Sequence, residues 1–265
     1  MKTYEIYDQE NDLSIGVLLY YEKEKSFVIE LAPNLDEWTA PLLLTALVKR
    51  GVYTIPRDIS FLWVKGRVVP SERQNIQAIL SAHKLKEYDE MKLLEITEGR
   101  CPQDSMIIRK IDALPGYVTE RRKKNLTDCL VSEHGYWICF FADDTVRKVS
   151  FLKLWDNEEL QIPDNPELLR SAKVGTDGYC VTLDDAYDIP ASVLYETGTL
   201  IPLRPDDFVS YVTNNALDTS QSCELLECSR QNLSYLIKQG QLQPIREEVK
   251  GSLFRKGDIL RKMQD

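Results

Sequence analysis

The first third of the chain alternates between short apolar runs and polar breaks. The runs Ile15–Tyr21 and Ser26–Leu31 are separated by the charged tetrad 22–25, and this pattern predicts a β-hairpin. Ile59–Val64 is a third run of apolar and β-favouring residues, for which we predict a strand. The N-terminal region is therefore expected to contain a sheet.

Helical spacing of apolar residues follows three residues that could cap a helix in this region. Asp36 precedes Leu42–Leu47, with Gly51 as a stop signal, and Ser71 precedes Ile76–Leu80. Asp89 precedes Met91, Leu93 and Leu94. Residues 1–112 are therefore predicted to form an α+β domain with helices packed on its sheet.

A second domain is predicted over residues 126–205, after a linker. The turn residues of Asp112–Gly116 and the basic block Arg121–Lys124 are typical of a linker. Beyond it, Tyr136–Phe141 and Val146–Phe151 flank a turn, and Thr176–Gly178 joins Ala172–Val174 to Tyr179–Leu183. These pairs predict a small β-rich domain with one short helix at its end.

Part of this segment resembles a known family. The stretch Phe141–Val149, together with Asp188–Pro190 and Leu194–Tyr195, is similar to a small bacterial domain of unknown function, over about 75 residues. The resemblance implies a fold and brings no catalytic chemistry.

Composition places the protein among ordinary folded proteins. Hydrophobic residues make up 43% and charged residues 28% of its 265 residues, so a core is expected throughout. The apolar run near the N-terminus is too short to span a bilayer and lacks the flanks of a signal peptide. Six cysteines without a C-x-x-C pair fit a reducing compartment, and we expect a cytoplasmic protein with no membrane contact.

The C-terminal residues 206–265 carry the clearest pattern in the chain. Asp218 or Thr219 can cap one helix through Leu226, and Ser229 can cap a second through Ile237, with Gly240 as its stop. Only Glu227 and Cys228 separate the first helix from the second cap, so the two helices should cross steeply. A hairpin turning at Lys250–Gly251 and a last short helix capped by Asp258 follow.

This order resembles the winged helix-turn-helix of MerR-type regulators and phage excisionases. The stretch Ser229–Pro244 is similar to the second helix and the entry to the wing, and the resemblance covers about 45 residues. It implies that Arg230, Gln231, Tyr235 and Lys238 face DNA and that Lys250 and Arg255 touch phosphates. Glu227 departs from the pattern, because such turns often place glycine there.

The residue types of the second helix suit a DNA groove independently of the resemblance. Arg230 can donate two hydrogen bonds to guanine, and Gln231 or Asn232 can pair with adenine. The Ser229 hydroxyl and the helix N-terminal amides can hold a phosphate. Although the net charge is −9, Ser229–Asp265 contains eight basic and four acidic residues, so positive charge is concentrated in this segment.

We therefore predict an α+β multidomain protein in which a C-terminal reader binds double-stranded DNA as part of a transcriptional regulator. A single small module binds weakly, so a homodimer is expected. The alternative is an interaction protein of the antitoxin or phage-defence class. In that hypothesis the acidic residues 1–205 bind a partner protein, and Arg230 and Tyr235 could themselves contact a protein.

Catalytic and metal-binding patterns are weak. His83 and His134 stand outside metal-ligand spacings, His83 as a surface or capping residue and His134 in a loop, and no nucleophile-elbow, Walker or dinucleotide motif is present. The pairs Asp143–Asp144 and Asp184–Asp185 fit turn geometry better than a cation site. Cys223 and Cys228 fit buried packing better than a redox switch on DNA binding. We expect a protein that is no enzyme and uses no cofactor or metal.

Overall fold

A computed structural model describes residues 1–157, 160–249, 251–255 and 259. The chain divides into two compact units: Met1–Asp143 with Arg147–Thr199, and Asp144–Val146 with Leu200–Asp265. The fold is mixed α+β with several sheets, and the described strand pairings are antiparallel, so the α+β class predicted from the sequence is confirmed. The predicted N-terminal domain and most of the predicted middle domain lie within the first unit. The division into three domains stays a prediction.

The first unit is built around a five-stranded sheet with strand order β4-β3-β2-β1-β5. The predicted hairpin is confirmed, and its Tyr20 and Phe27 rings stack across the two strands with centroids 4.8 Å apart. Three strands that the apolar runs did not predict, the first, the fourth and the fifth, complete the sheet. The strands are β1 (Lys2–Asp8), β2 (Leu13–Tyr21), β3 (Ser26–Leu31), β4 (Thr54–Ile55) and β5 (Met106–Lys110).

Four short helices contribute to the same unit, and their buried residues join the core of the sheet. The Asp89 carboxylate accepts a hydrogen bond from the Lys92 amide at 2.9 Å, which confirms the predicted cap of the fourth helix. The helices are α1 (Thr45–Lys49, after a 3₁₀ turn at Leu42–Leu44), α2 (Arg57–Lys65), α3 (Ile76–Ala82) and α4 (Glu90–Ile96).

The strand predicted over Ile59–Val64 is wrong, because these residues lie in α2. Pro56 supplies the fixed φ that suits a helix start, and Ser60, Trp63 and Val64 are buried at spacings of three and four. A six-residue apolar run does not distinguish a buried helix from a strand. The helical spacing of buried positions can be recognised only if the polar Ser60 is included with Trp63 and Val64.

Two predicted caps act on turns instead of helices. The Asp36 carboxylate accepts bonds from the Trp38 and Thr39 amides at 2.9 Å each, in the loop before α1. The Ser71 hydroxyl bonds the Glu72 carboxylate, while α3 begins only at Ile76. Short polar side chains satisfy nearby groups in turns as readily as at helix starts, so the sequence alone did not separate the two cases.

The segment predicted as a linker contains a helix, α5 (Gly116–Arg122). Val118 on this helix has no solvent exposure and packs on Val17, Leu19 and Val28 of the sheet. The basic residue Arg121 at its end also contacts the sheet, because it forms an ion pair with the buried Glu30 carboxylate of β3. The linker prediction is wrong because one apolar residue, Val118, is enough to anchor this short helix on the sheet despite its turn residues and charge.

The rest of the first unit contains two small sheets around a second core cluster. Both predicted strand pairs are present, and the Trp137 indole donates to the Leu169 carbonyl at 2.9 Å inside the core. The prediction of one terminal helix is wrong, because two further helices precede it. The elements are β6 (Leu126–Ser132), β7 (Tyr136–Phe141), β8 (Val146–Ser150), α6 (Phe151–Trp155), α7 (Pro166–Arg170), β9 (Lys173–Val174), β10 (Cys180–Leu183), β11 (Tyr187–Pro190) and α8 (Ala191–Thr197).

The remaining elements run to the C-terminal end of the described chain. They are β12 (Thr199–Ile201), α9 (Pro205–Asn215), β13 (Ala216–Leu217), α10 (Thr219–Leu225), α11 (Arg230–Lys238), β14 (Arg246–Val249) and β15 (Gly251–Arg255). The predicted last helix begins at Asp258, which lies outside the described residues. Among the helices of the described ranges, none has the length and apolar character needed to cross a membrane.

A carboxylate without solvent exposure lies inside the first unit. Glu30 of β3 accepts hydrogen bonds from Arg121 Nη1 at 3.0 Å and from Thr54 Oγ1 at 2.9 Å. Arg121 Nη1 also donates to the Leu31 carbonyl at 2.7 Å. Burial raises the pKa of Glu30 even though Arg121 and Thr54 act in the opposite direction. The contacts of Glu30 with Arg121 and Thr54 therefore join β3 to α5 and β4.

We predict that Glu30→Ala destabilises the first unit by about 3–5 kcal/mol, because Arg121 is left largely buried without its partner. Denaturant unfolding measures the change. Glu120→Ala is the matched control, since Glu120 forms an exposed pair with Lys123 that is worth at most about 1 kcal/mol. Equal effects of the two substitutions would contradict the role given to Glu30.

The pH dependence of Glu30→Gln supplies a signed test. Because the pKa of Glu30 is raised in the folded protein, its ionisation lowers stability as pH rises through that value. The glutamine variant lacks this loss, so its free energy of unfolding relative to the native protein should increase with pH. A relative stability that falls with rising pH would mean that folding lowers this pKa.

Candidate functional site

The helices α10 and α11 form a compact pair in the second unit. Asp218 caps α10, because its carboxylate accepts from the Gln221 amide at 2.8 Å while the Gln221 side chain accepts from the Asp218 amide at 3.0 Å. This reciprocal pair satisfies two amide donors at the helix start. The predicted first helix and its cap are confirmed.

The connection between the helices is short and sharply turned. The Cys228 amide donates to the Cys223 carbonyl at 3.0 Å, which closes the end of α10. Glu227 adopts a φ of +50°, in the left-handed region that residues other than glycine and asparagine seldom occupy. The turn has therefore the geometry of a glycine position, although a glutamate occupies it.

Helix α11 packs through one face only. The Ser229 hydroxyl accepts from the Asn232 amide at 3.3 Å and so caps the helix as predicted. Leu233 is 1% exposed and forms a small core with Leu242, Phe254 and Ile259. The helix ends at Lys238, Gln239 is its C-cap, and Gly240 follows with a φ of +69°, which confirms the predicted stop.

The rest of the α11 surface is open to solvent, apart from the partly buried Leu236 and Ile237, and it carries most of the predicted site residues. Arg230 Nη2 donates to the Ser220 hydroxyl at 3.0 Å, so α10 holds the guanidinium against the surface. Within the described residues neither Arg230 nor Lys238 belongs to an ion pair. The predicted residues that the structure exposes together are Ser229, Arg230, Gln231, Asn232, Tyr235 and Lys238.

A β-hairpin follows the two helices. Strand β15 pairs with β14 on one side and with β13 on the other, and Leu217 lies opposite Phe254. The predicted hairpin is therefore present and is attached to the start of α10. Of its predicted phosphate contacts, Lys250 lies outside the described residues, and Arg255 is described only as the last position of β15.

The chemistry of the exposed α11 face is that of hydrogen-bond donors around a helix start. The first amides of a helix carry partial positive charge and point outward, which favours an anionic ligand. Arginine and lysine add full positive charges, while the amide side chains of Gln231 and Asn232 offer both donors and acceptors. Such a surface can hold a phosphate and distinguish the edges of bases.

The acidic pairs that the sequence singled out lie in turns, as predicted. Asp184 and Asp185 both have positive φ values, 46° and 56°, between β10 and β11, and Asp144 has a φ of +63°. Among the described residues no group of three or more histidine, cysteine or carboxylate side chains could hold a metal ion. His83 forms the C-cap of α3, as a capping residue, and His134 lies in the turn between β6 and β7.

Sequence reasoning missed a polar cluster in the first unit. The Tyr21 hydroxyl donates to the Asp177 carboxylate at 2.6 Å, and Arg122 Nη2 donates to the same oxygen at 2.7 Å. Burial raises the pKa of Tyr21 and of the nearby Tyr179. Glu30, which lies near Tyr179, gave the one usable sequence signal for polar groups in this region, because it is the only charged residue in the apolar strand β3. The residues that contact it are distant in sequence, so the sequence did not identify them.

Comparisons with known proteins found nothing similar. No family model matches the chain, and neither the curated proteins nor the solved structures contain a match.

Proposed function

We propose that the C-terminal module, residues 216–255, is a winged helix-turn-helix that binds double-stranded DNA, and that the protein is a sequence-specific transcriptional regulator. The observation that carries the proposal is the exposed face of α11. Six residues suited to DNA contact are exposed on this helix, which Leu233 anchors in the core of the module. The β14–β15 hairpin takes the part of the wing.

In this proposal the residues of α11 divide into two roles. Arg230, Gln231 and Asn232 lie in the first turn and contact base edges, because a recognition helix enters the major groove with its N-terminal residues. The Ser229 hydroxyl, Tyr235 and Lys238, with Lys250 and Arg255 of the wing, contact the phosphate backbone and fix the register.

The proposal includes a homodimer formed through α9. None of the described side chains of this helix is buried, and Val209 and Tyr211 are each 60% exposed. Val212, three residues after Val209, lies on the same side of the helix. Because α9 continues directly into β13 of the DNA-binding module, pairing of two α9 helices would relate two recognition helices by a two-fold axis, as two half-sites require.

We predict that Arg230→Ala weakens binding to the preferred sequence by about 1–3 kcal/mol and relaxes specificity there. Lys238→Ala should weaken binding to every sequence alike and lower the slope of log affinity against log salt by about one. Fluorescence anisotropy with the DNA upstream of the protein's own gene measures both effects. Arg73→Ala, an exposed arginine of the first unit, is the matched control.

Two results would contradict this prediction. One is native protein without measurable affinity for DNA at moderate salt. The other is an Arg230→Ala, Lys238→Ala variant that binds as tightly as the native protein.

We predict that Val209→Glu with Val212→Glu converts a dimer to a monomer in sedimentation velocity and lowers DNA affinity. Both valines are exposed, so the substitutions leave the folded chain intact. Leu152→Glu is the control, because Leu152 is 66% exposed on α6 and should leave the dimer unchanged. A monomeric native protein at micromolar concentration would overturn the role of α9.

A second candidate function is binding of a partner protein by the first unit. It is favoured by the loop after β3, where Trp38 and Leu42 are 86% and 94% exposed beside the acidic Asp36 and Glu37. Exposed tryptophan and leucine beside acidic residues suit a basic protein surface. Co-purification of a stoichiometric basic partner, without DNA affinity at moderate salt, would favour this function over the first.

A further inference from the structure

Two cysteines face each other across neighbouring strands of the first unit. Cys129 of β6 is paired in register with Cys139 of β7, and their Sγ atoms are 4.0 Å apart. Directly opposed residues of antiparallel strands have Cα atoms about 4.5 or 5.5 Å apart, depending on the hydrogen-bonding of the pair. Both separations fall within the range of about 4.4–6.8 Å found across disulfides. The backbone therefore already has the spacing that a disulfide needs.

The two sulfurs differ in their access to solvent. Cys139 is fully buried beside Trp137 and Phe141 on the core face of β7, whereas Cys129 is partly exposed. Strand β6 is at an edge of its sheet, so no further strand of that sheet covers Cys129 from the outside. The hydrogen bond with Cys129, together with burial, raises the pKa of the Cys139 thiol. A reagent in solution thus meets Cys129 first, with Cys139 directly behind it.

We propose that Cys129 and Cys139 form a modification site that reacts with low-molecular-weight disulfides and closes to an intramolecular disulfide. This is independent of the DNA-binding proposal. The geometry supplies the two groups that such a reaction requires, an accessible attacking sulfur and a resolving sulfur within reach of it.

The reaction proceeds in two exchange steps. The Cys129 thiolate attacks one sulfur of the small disulfide, forms a mixed disulfide, and releases the other half as a thiolate, which takes up the proton that Cys129 lost. The Cys139 sulfur then attacks Sγ of Cys129, which releases the second half as a thiolate, and the proton of the Cys139 thiol passes to that departing sulfur. Two protein thiols are oxidised, and one small disulfide is reduced to two thiols.

The bond would join the edge strand β6 to β7. It would close a short loop around residues 130–138 and so restrict the unfolded chain, which favours the folded state of the first unit. The oxidised protein should therefore unfold at a higher temperature than the reduced protein. The change is reversible by a dithiol reductant, as expected of exchange chemistry.

The test uses the full chain with Cys223→Ser and Cys228→Ser, because these two cysteines are also near each other, at the end of α10. The folded protein is incubated with oxidised glutathione and analysed by intact mass and peptide mapping. We expect the loss of two hydrogen atoms, no retained glutathione, a linked peptide pair containing Cys129 and Cys139, and a raised Tm. Dithiothreitol should reverse all of these changes.

Two variants in the same background complete the design. Cys129→Ser changes a partly exposed residue and should abolish the linked peptides and the rise in Tm. Cys101→Ser, the matched control at another partly exposed cysteine, should leave both unchanged. A stable glutathione adduct on Cys129, disulfide-linked dimers, or no reaction of the folded protein would each overturn the proposal.

Discussion

The first unit depends on how it accommodates one buried negative charge. Glu30 lies within β3 with no solvent exposure, and an ion of this kind is costly in a protein interior unless a partner and hydrogen bonds compensate it. Arg121 and Thr54 supply that compensation, and they come from α5 and β4. The position of α5, and with it the path of the chain into β6, is tied to this carboxylate.

The second unit depends on a different constraint, the packing of a small apolar cluster. Among the described residues, Leu233, Leu242, Phe254 and Ile259 form this cluster, and they connect α11 to the hairpin. Capping adds to this packing, because Asp218 and Ser229 satisfy amides that the helices themselves leave unpaired. One consequence is that α11 presents a polar face in a defined orientation. That face is what the proposed function uses.

Sequence patterns predicted the elements whose signals are local. The β2–β3 hairpin, α4 and the pair α10–α11 all combine apolar spacing with a cap or turn residue nearby. The capping residues Asp89, Asp218 and Ser229 each form the bond expected of them. For the candidate site, this local information was enough to predict α11 and its cap, and the predicted α11 residues are exposed to solvent.

What the sequence did not predict depends on contacts between distant residues. Strand β5 pairs with β1, which lies about a hundred residues earlier, and Arg121 forms an ion pair with Glu30 across a similar separation. The composition of the run Ile59–Val64 suits both a strand and a helix, and packing on the sheet stabilises the helix. In β1, Tyr4, Ile6 and Asp8 are buried at every second position. This alternation is typical of a strand, but it is weaker in the sequence than the continuous apolar runs of β2 and β3.

Recognition of a DNA sequence by α11, as proposed above, can be tested by in vitro selection from random double-stranded DNA. We expect the native protein to enrich an inverted repeat whose half-sites lie about one helical turn, roughly 10 base pairs, or a multiple of it apart. Arg230→Ala should lose that motif. Recognition by α11 would be contradicted if the native protein enriched no motif, or if Arg230→Ala enriched the same motif equally well.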